Sequence, residues 1–73
     1  MDTSLISEVY MQRPQSLASM GLGEWFCKAM DLDDKSLIYS TTREAKLRII
    51  DNRYNEVPDL IQHLKYFNRS NSQ

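Results

Sequence analysis

A chain of 73 residues and 8.6 kDa is enough for one small domain, which buries only about 60% of the surface of its unfolded chain. Cys27 and His63 are the only residues of their kinds, which excludes an internal disulfide and leaves too few ligands for a structural zinc site. The net charge of −1 is unevenly divided: residues 1–34 carry six acidic and two basic side chains, whereas residues 35–73 carry four acidic and seven basic ones.

Residues 3–12 form an arm whose conformation the sequence leaves open between helix and strand. Several of its apolar residues recur at the spacing of a helical face, but others alternate with polar residues as in a strand. The arm ends at Arg13, because the residue before Pro14 is disfavoured in the helical region. The apolar residues with helical spacing are Leu5, Ile6, Val9 and Tyr10.

The first main helix is predicted over residues 14–32, because Pro14 can occupy a first helical position and an apolar stripe follows. Gly21 and Gly23 weaken this helix by about 1 kcal/mol each relative to alanine. They predict a break, with the firm helix beginning near Gly23, or a site where another backbone approaches closely. The stripe comprises Ala18, Leu22, Trp25, Phe26, Ala29 and Leu32.

The same helix has a second apolar side, formed by Met20, Cys27 and Met30. A helix that is apolar on more than one side is either buried or paired with another chain. A domain this small often relies on a partner subunit for its stability. We therefore expect a homodimer.

The second main helix is predicted over residues 42–55, after the apolar piece 37–39, which is too short to classify. Thr41 and Glu44 match the capping box, in which a hydroxyl and a carboxylate three residues later bond the first free N–H groups. Its apolar strips comprise Ala45, Leu47, Ile49, Ile50, Tyr54 and Val57.

The third main helix is predicted over residues 58–67, since Pro58 can open it. Residues 68–73 contain no apolar side chain and are expected to be a flexible polar tail. Together the three helices and the ambiguous arm predict an all-α fold, a small bundle in a single domain spanning 1–73. The stripe of the third helix comprises Leu60, Ile61, Leu64 and Phe67.

Arg43, Lys46 and Arg53 lie beside or between the apolar strips of the second helix rather than on its polar face. Basic groups in this position can bind phosphates or an acidic partner. Their aliphatic stems can instead cover the edge of the core while the charged ends reach water. The acidic amino-terminal half could also neutralise them within the chain.

Enzyme activity is not expected, because no catalytic, metal-binding or cofactor-binding motif is present. Cys27 and His63 could form a nucleophile–base pair, but nothing in the chain supplies a third orienting group. The acidic cluster of Asp31, Asp33 and Asp34 lacks the glycine and distal glutamate of a calcium loop, so it is interpreted as a helix-end turn. We predict no cofactor and no metal.

No uninterrupted apolar run exceeds three residues, so no segment is predicted to span a membrane. The amino terminus lacks the basic and apolar regions of an export signal. A lone cysteine is typical of proteins in a reducing compartment, and a cytoplasmic location is expected.

These observations predict a small protein–protein interaction or regulatory module, of the adaptor or inhibitor type, that acts through amphipathic helix faces. The alternative is a nucleic-acid-binding transcriptional regulator that uses the basic helix 42–55. The residues expected to anchor a partner are Trp25, Phe26, Tyr39, Tyr54 and Phe67, with Arg43, Lys46 and Arg53 as a charged rim.

Overall fold

The computed structural model describes residues 3–39, 42–53 and 57–72, and it confirms the all-α fold class. These residues form five α-helices and one turn of 3₁₀ helix, and none of them lies in a strand. No helix in this part of the chain is both long and apolar enough to span a membrane. The elements are α1 (Thr3–Met11), the 3₁₀ turn (Gln15–Leu17), α2 (Leu22–Met30), α3 (Lys35–Tyr39), α4 (Arg43–Arg53) and α5 (Val57–Ser70).

The amino-terminal arm is a helix, α1, which places Ile6 and Val9 on one face, whereas a strand would place two residues three positions apart on opposite faces. Ile6 and Val9 are buried, and they pack on the core where α1 contacts α4 and α5. Leu5 remains 42% exposed at the edge of this face. The helix ends before Arg13, as Pro14 predicts.

Residues 14–32 do not form one helix, so the prediction of a single helix over this range is wrong. Pro14 is extended, with ψ 167°, and precedes the 3₁₀ turn. Gly21 is extended as well, with φ −75° and ψ 174°, and it caps the amino end of α2. Asp31 ends α2 in the left-handed conformation, with φ 57°. The break expected at the glycines is therefore confirmed, because an extended residue interrupts the hydrogen-bonded ladder at this point.

Gly23 is the point of closest approach between α2 and α3. A Cβ atom at this position would lie 2.4 Å from the carbonyl oxygen of Leu37 and 2.9 Å from the Cα atom of Ile38. Both of these are backbone atoms, so the contact leaves no room for a side chain. The close approach of another backbone, inferred from the sequence as one role for the glycines, is thus confirmed at Gly23.

The amino end of α4 is capped by Thr42. Its Oγ1 atom accepts a hydrogen bond from the N–H of Ala45 at 3.3 Å, which is the usual side-chain cap of a helix. Thr41, the hydroxyl of the predicted capping box, lies outside the described residues. Within those residues α4 begins one position after the predicted start at residue 42.

The third main helix is longer than predicted, because α5 continues through Ser70. Asn68 is buried and joins three helices: its Oδ1 accepts a hydrogen bond from Trp25 Nε1 at 3.0 Å, and its Nδ2 donates to the Val9 carbonyl at 3.0 Å. The hydroxyl of Ser16 also donates to the carbonyl of Asn71. Residues 68–70 therefore belong to α5, whereas the tail was expected to begin at residue 68, because the polar side chain of Asn68 forms hydrogen bonds within the core.

Every helix and the 3₁₀ turn contribute apolar side chains to a single hydrophobic core. Helix α2 contacts α3, α4 and α5, so both of its apolar sides are covered within one chain. Its second apolar side therefore requires no second subunit. The buried apolar residues are Ile6, Val9, Leu17, Leu22, Trp25, Phe26, Cys27, Leu37, Leu47, Ile50, Leu60, Ile61 and Leu64.

Candidate interaction surface

The aromatic residues predicted as partner anchors occupy different environments. Trp25 and Phe26 are completely buried, so they expose no surface to a partner in this fold. Phe67 is partly buried against the core, and Tyr54 lies outside the described residues. Tyr39, at the carboxyl end of α3, is 80% exposed and is the one predicted anchor that the structure shows open to solvent.

Each of the three basic residues predicted as a rim bonds to a residue that precedes α4 in the chain. Arg43 donates to the hydroxyl of Ser7 on α1. Lys46 Nζ donates to the carbonyl oxygen of Ile38 on α3 at 3.1 Å. Arg53 forms an ion pair with Asp34, just before α3. One flank of α4 is therefore held against α1 and α3 by its own basic side chains.

The charges of these residues are compensated unequally. Arg53 faces a carboxylate, whereas Arg43 and Lys46 donate to a hydroxyl and a carbonyl oxygen. A neutral acceptor fixes the position of a cation without neutralising its charge. Among the described residues, Arg53 is thus the one member of this set that is paired with a carboxylate of the acidic half, and Arg43 and Lys46 are not.

Asp34 joins the start of α3 to the end of α4. Its Oδ1 accepts hydrogen bonds from the Ser36 hydroxyl at 2.7 Å and from the Leu37 N–H at 3.2 Å, and its Oδ2 faces Arg53. These two hydrogen bonds, followed by the Arg53 charge, hold the pKa of Asp34 below its ordinary value. Asp34 is therefore a helix cap, as its place in a helix-end turn predicted.

This contact makes part of the stability of the protein dependent on pH. Because the folded state lowers the pKa of Asp34, its contribution is complete above the unfolded pKa of about 4 and is lost as the pH falls through the folded value. We expect Asp34→Asn to reduce the acid-induced loss of stability, measured by urea unfolding at several pH values. Asp33→Asn removes the same charge one residue earlier and is the control for the change in net charge. If the two variants lost the same amount of stability as the pH is lowered, the role of Asp34 would be contradicted.

The surface around Tyr39 carries two lysines. Lys35 is exposed and lies one helical turn before Tyr39, so the two side chains share a face of α3. Lys46 bonds to the carbonyl of Ile38, the residue next to Tyr39. Glu44 lies two residues from Lys46 on α4 and does not share its face. We call this set, Tyr39 with Lys35 and Lys46, the Tyr39 surface.

Sequence reasoning missed a second group, formed by Tyr10 and Arg13. The guanidinium carbon Cζ of Arg13 lies 4.0 Å from the centroid of the Tyr10 ring, and that of Arg43 lies 5.7 Å from it. The sequence marks Arg13 only as the residue before Pro14. No helical spacing signalled the pair, because Arg13 lies beyond the end of α1 and is held by the carbonyl oxygens of Tyr10, Leu17 and Ala18.

The remaining candidates for chemistry have structural contacts. Cys27 is buried, and this burial raises the pKa of its thiol, so the reactive thiolate is disfavoured at neutral pH. His63 bonds through Nε2 to the Ala29 carbonyl at 2.9 Å. In the described part of the chain, no three histidine, cysteine or carboxylate side chains lie close enough together to hold a metal ion.

Comparisons with known proteins supply no relative from which a function could be transferred. No protein-family model, no curated protein and no solved structure matches this chain. Its function therefore has to be inferred from its own surface.

Proposed function

We propose that this chain is a non-enzymatic protein–protein interaction or regulatory module, of the adaptor or inhibitor type, that binds its partner through the Tyr39 surface. The observation that carries the proposal is the 80% exposure of Tyr39 beside two cationic side chains. Aromatic residues are enriched among the few side chains that dominate the binding energy of protein interfaces.

The two lysines indicate the chemistry of the partner. Lys35 is exposed, and Lys46 is bonded to a neutral carbonyl, so both charges are available to an incoming acidic group. A protein segment that sets an apolar side chain on Tyr39 and carboxylates beside the lysines would match this surface. Such charges contribute mainly to the selectivity and rate of association.

Replacing Tyr39 by alanine should weaken partner binding without unfolding the protein. A central aromatic anchor contributes about 2 kcal/mol or more, which is about thirtyfold in affinity. The test is quantitative affinity capture from the native host, followed by calorimetry with the captured protein. Tyr66→Ala is the matched control, because Tyr66 is a 63% exposed tyrosine on a different helix, α5.

The comparison of the two tyrosine variants decides the proposal. We expect wild type and Tyr66→Ala to capture a protein that Tyr39→Ala does not capture. All three chains should have the same melting temperature. If Tyr39→Ala retains the same proteins at the same affinity, the Tyr39 surface is not the binding site.

A nucleic-acid-binding regulator that uses helix 42–55 ranks second. Arg43 and Lys46 keep their charge, and Arg48 is exposed on the outer side of α4. However, Arg53 is paired with Asp34, and Glu44 is exposed in the first turn of the same helix. A regulator of this kind would bind duplex DNA with an affinity that falls steeply between about 50 and 200 mM salt.

A homodimer stays a prediction. The exposed apolar side chains of α1, Leu5 at 42% and Met11 at 64%, are the residues on which such a dimer could form. Sedimentation at several concentrations tests it, and a mass near 8.6 kDa throughout would contradict it.

A further inference from the structure

Two arginines approach one aromatic ring at the surface where α1, the 3₁₀ turn and α4 meet. Arg13 and Arg43 place their Cζ atoms 4.0 Å and 5.7 Å from the centroid of the Tyr10 ring. The ring is fixed by an edge contact with Trp25, at a centroid distance of 5.5 Å and an angle of 65°. The face of an aromatic ring attracts cations, so Tyr10 holds two like charges whose Cζ atoms lie no more than 9.7 Å apart, the sum of the two distances.

Neither guanidinium is neutralised by the part of the chain that the structure describes. Arg13 donates to the carbonyl oxygens of Tyr10, Leu17 and Ala18 at 3.0, 3.2 and 3.1 Å, and Arg43 donates to the hydroxyl of Ser7. All four acceptors are neutral. A guanidinium has five N–H donors, so both arginines retain donors for a ligand. Two neighbouring positive charges repel each other, and a bound anion would relieve this repulsion.

We propose that Arg13 and Arg43, positioned by Tyr10, form a binding site for a carboxylate or phosphate group on an acidic polypeptide segment. Arginine recognises both groups through paired N–H donors in a planar fork. Arg43 and Lys46 are three residues apart on α4, so a segment bound at the arginines could extend towards the Tyr39 surface. The proposal relies on the proposed function only in taking the partner to be a protein.

A polypeptide fits the surroundings of the pair better than a nucleic acid. Glu44 follows Arg43 directly and is exposed, and Glu8 is exposed on α1. The regular phosphates of a nucleic acid strand would meet these carboxylates as well as the arginines. A short acidic segment can place one or two anionic groups on the pair and leave neutral residues elsewhere. Nucleic acid is accordingly included in the test as a competing ligand.

Trp25 provides a direct readout, since it is the only tryptophan and its ring contacts Tyr10. We would titrate the full chain with an acetylated hexaglutamate peptide, and with a neutral peptide that carries two phosphoserines, in about 50 mM salt. Saturable binding to wild type is expected, and the stronger of the two peptides identifies the source of the anion. Arg43→Gln should weaken this binding by about tenfold or more, as expected for lost charge-assisted hydrogen bonds.

Arg48→Gln is the matched control, because it removes the same charge from the exposed outer side of α4. It should change the affinity less than about twofold. Equal losses in Arg43→Gln and Arg48→Gln would overturn the site in favour of general charge attraction. Tighter binding of a single-stranded hexanucleotide than of either peptide would overturn the choice of a polypeptide.

NMR signals of the arginine Nε–Hε groups in the wild-type chain give a second measurement that does not depend on fluorescence or on a variant. The peptides should shift the signals of Arg13 and Arg43 and leave that of Arg48 in place. Absence of any saturable shift would overturn the proposal.

Tyr39→Ala separates this site from the proposed function. In this variant the hexaglutamate peptide should still shift the NMR signals of Arg13 and Arg43, even where the variant loses the captured protein. If Arg43→Gln binds that protein normally, the anion site fails while the proposed function stands.

Discussion

Replacing Trp25 by alanine should lower the free energy of unfolding by about 3–5 kcal/mol, the range for removing a buried tryptophan or phenylalanine. Trp25 is completely buried, packs edge-on against Tyr10 and donates its indole N–H to Asn68. For a domain of 73 residues this loss is a large share of the total stability. Urea unfolding followed by circular dichroism measures it, and Tyr66→Ala is the exposed aromatic control, with an expected effect within about 0.5 kcal/mol.

Two further variants show how much of this loss belongs to the hydrogen bond. Trp25→Phe keeps a buried ring and removes the N–H donor, whereas Asn68→Ala leaves that donor buried without an acceptor. Asn68→Ala should cost about 1–3 kcal/mol in the wild-type chain and less in the Trp25→Phe background. A Trp25→Ala variant that melts like wild type and loses its partner would instead show that Trp25 is an interface anchor, as considered from the sequence.

Gly23→Ala is expected to destabilise the chain by about 2–3 kcal/mol, although alanine favours a helix by about 1 kcal/mol over glycine. The added Cβ would lie 2.4 Å from the carbonyl oxygen of Leu37, and a backbone atom cannot move aside as the end of a flexible side chain can. Relief of this clash requires α3 to shift away from α2. Thermal unfolding of the variant measures the net effect.

Gly21→Ala is the matched control for this substitution. A Cβ atom added to Gly21 would meet nothing within 4 Å, and the φ of this residue, −75°, is one that alanine adopts readily. Alanine restricts the unfolded chain more than glycine does, which stabilises the folded state, whereas glycine is the better residue at the amino-terminal cap. These two effects on stability should nearly cancel. Similar melting temperatures for the two variants would contradict close packing as the reason for Gly23.

A shift of α3 would also bear on function. Tyr39 and Lys35 lie on α3, and Lys46 reaches this helix through the carbonyl of Ile38. A folded Gly23→Ala chain should therefore bind the partner less well than Gly21→Ala, because the Tyr39 surface depends on the position of a helix of five residues.

Much of the fold follows from the sequence, because it depends on local rules. The buried stripes of α2, α4 and α5 were recognisable from their helical spacing, and Pro14 and Pro58 marked boundaries through the restrictions on proline itself and on the residue before it. The glycines indicated either a break or a close approach, and the structure shows the break at Gly21 and the close approach at Gly23. The length of α5 was not predictable in this way, because Asn68 is polar and does not continue the apolar stripe. It stabilises this end of the helix through hydrogen bonds with Trp25 and Val9.

The candidate site depended on contacts between distant parts of the chain. The sequence placed Arg43, Lys46 and Arg53 at the edge of the apolar strips but left their partners open between solvent, a ligand and the acidic half. Arg43 meets Ser7, 36 residues away, and Arg53 meets Asp34, 19 residues away. Helical periodicity fixes the direction in which a side chain leaves its own helix, whereas the atom that it meets depends on how the helices pack. Only the tertiary structure could therefore show that one of these charges is neutralised and that Arg43 joins Arg13 at Tyr10.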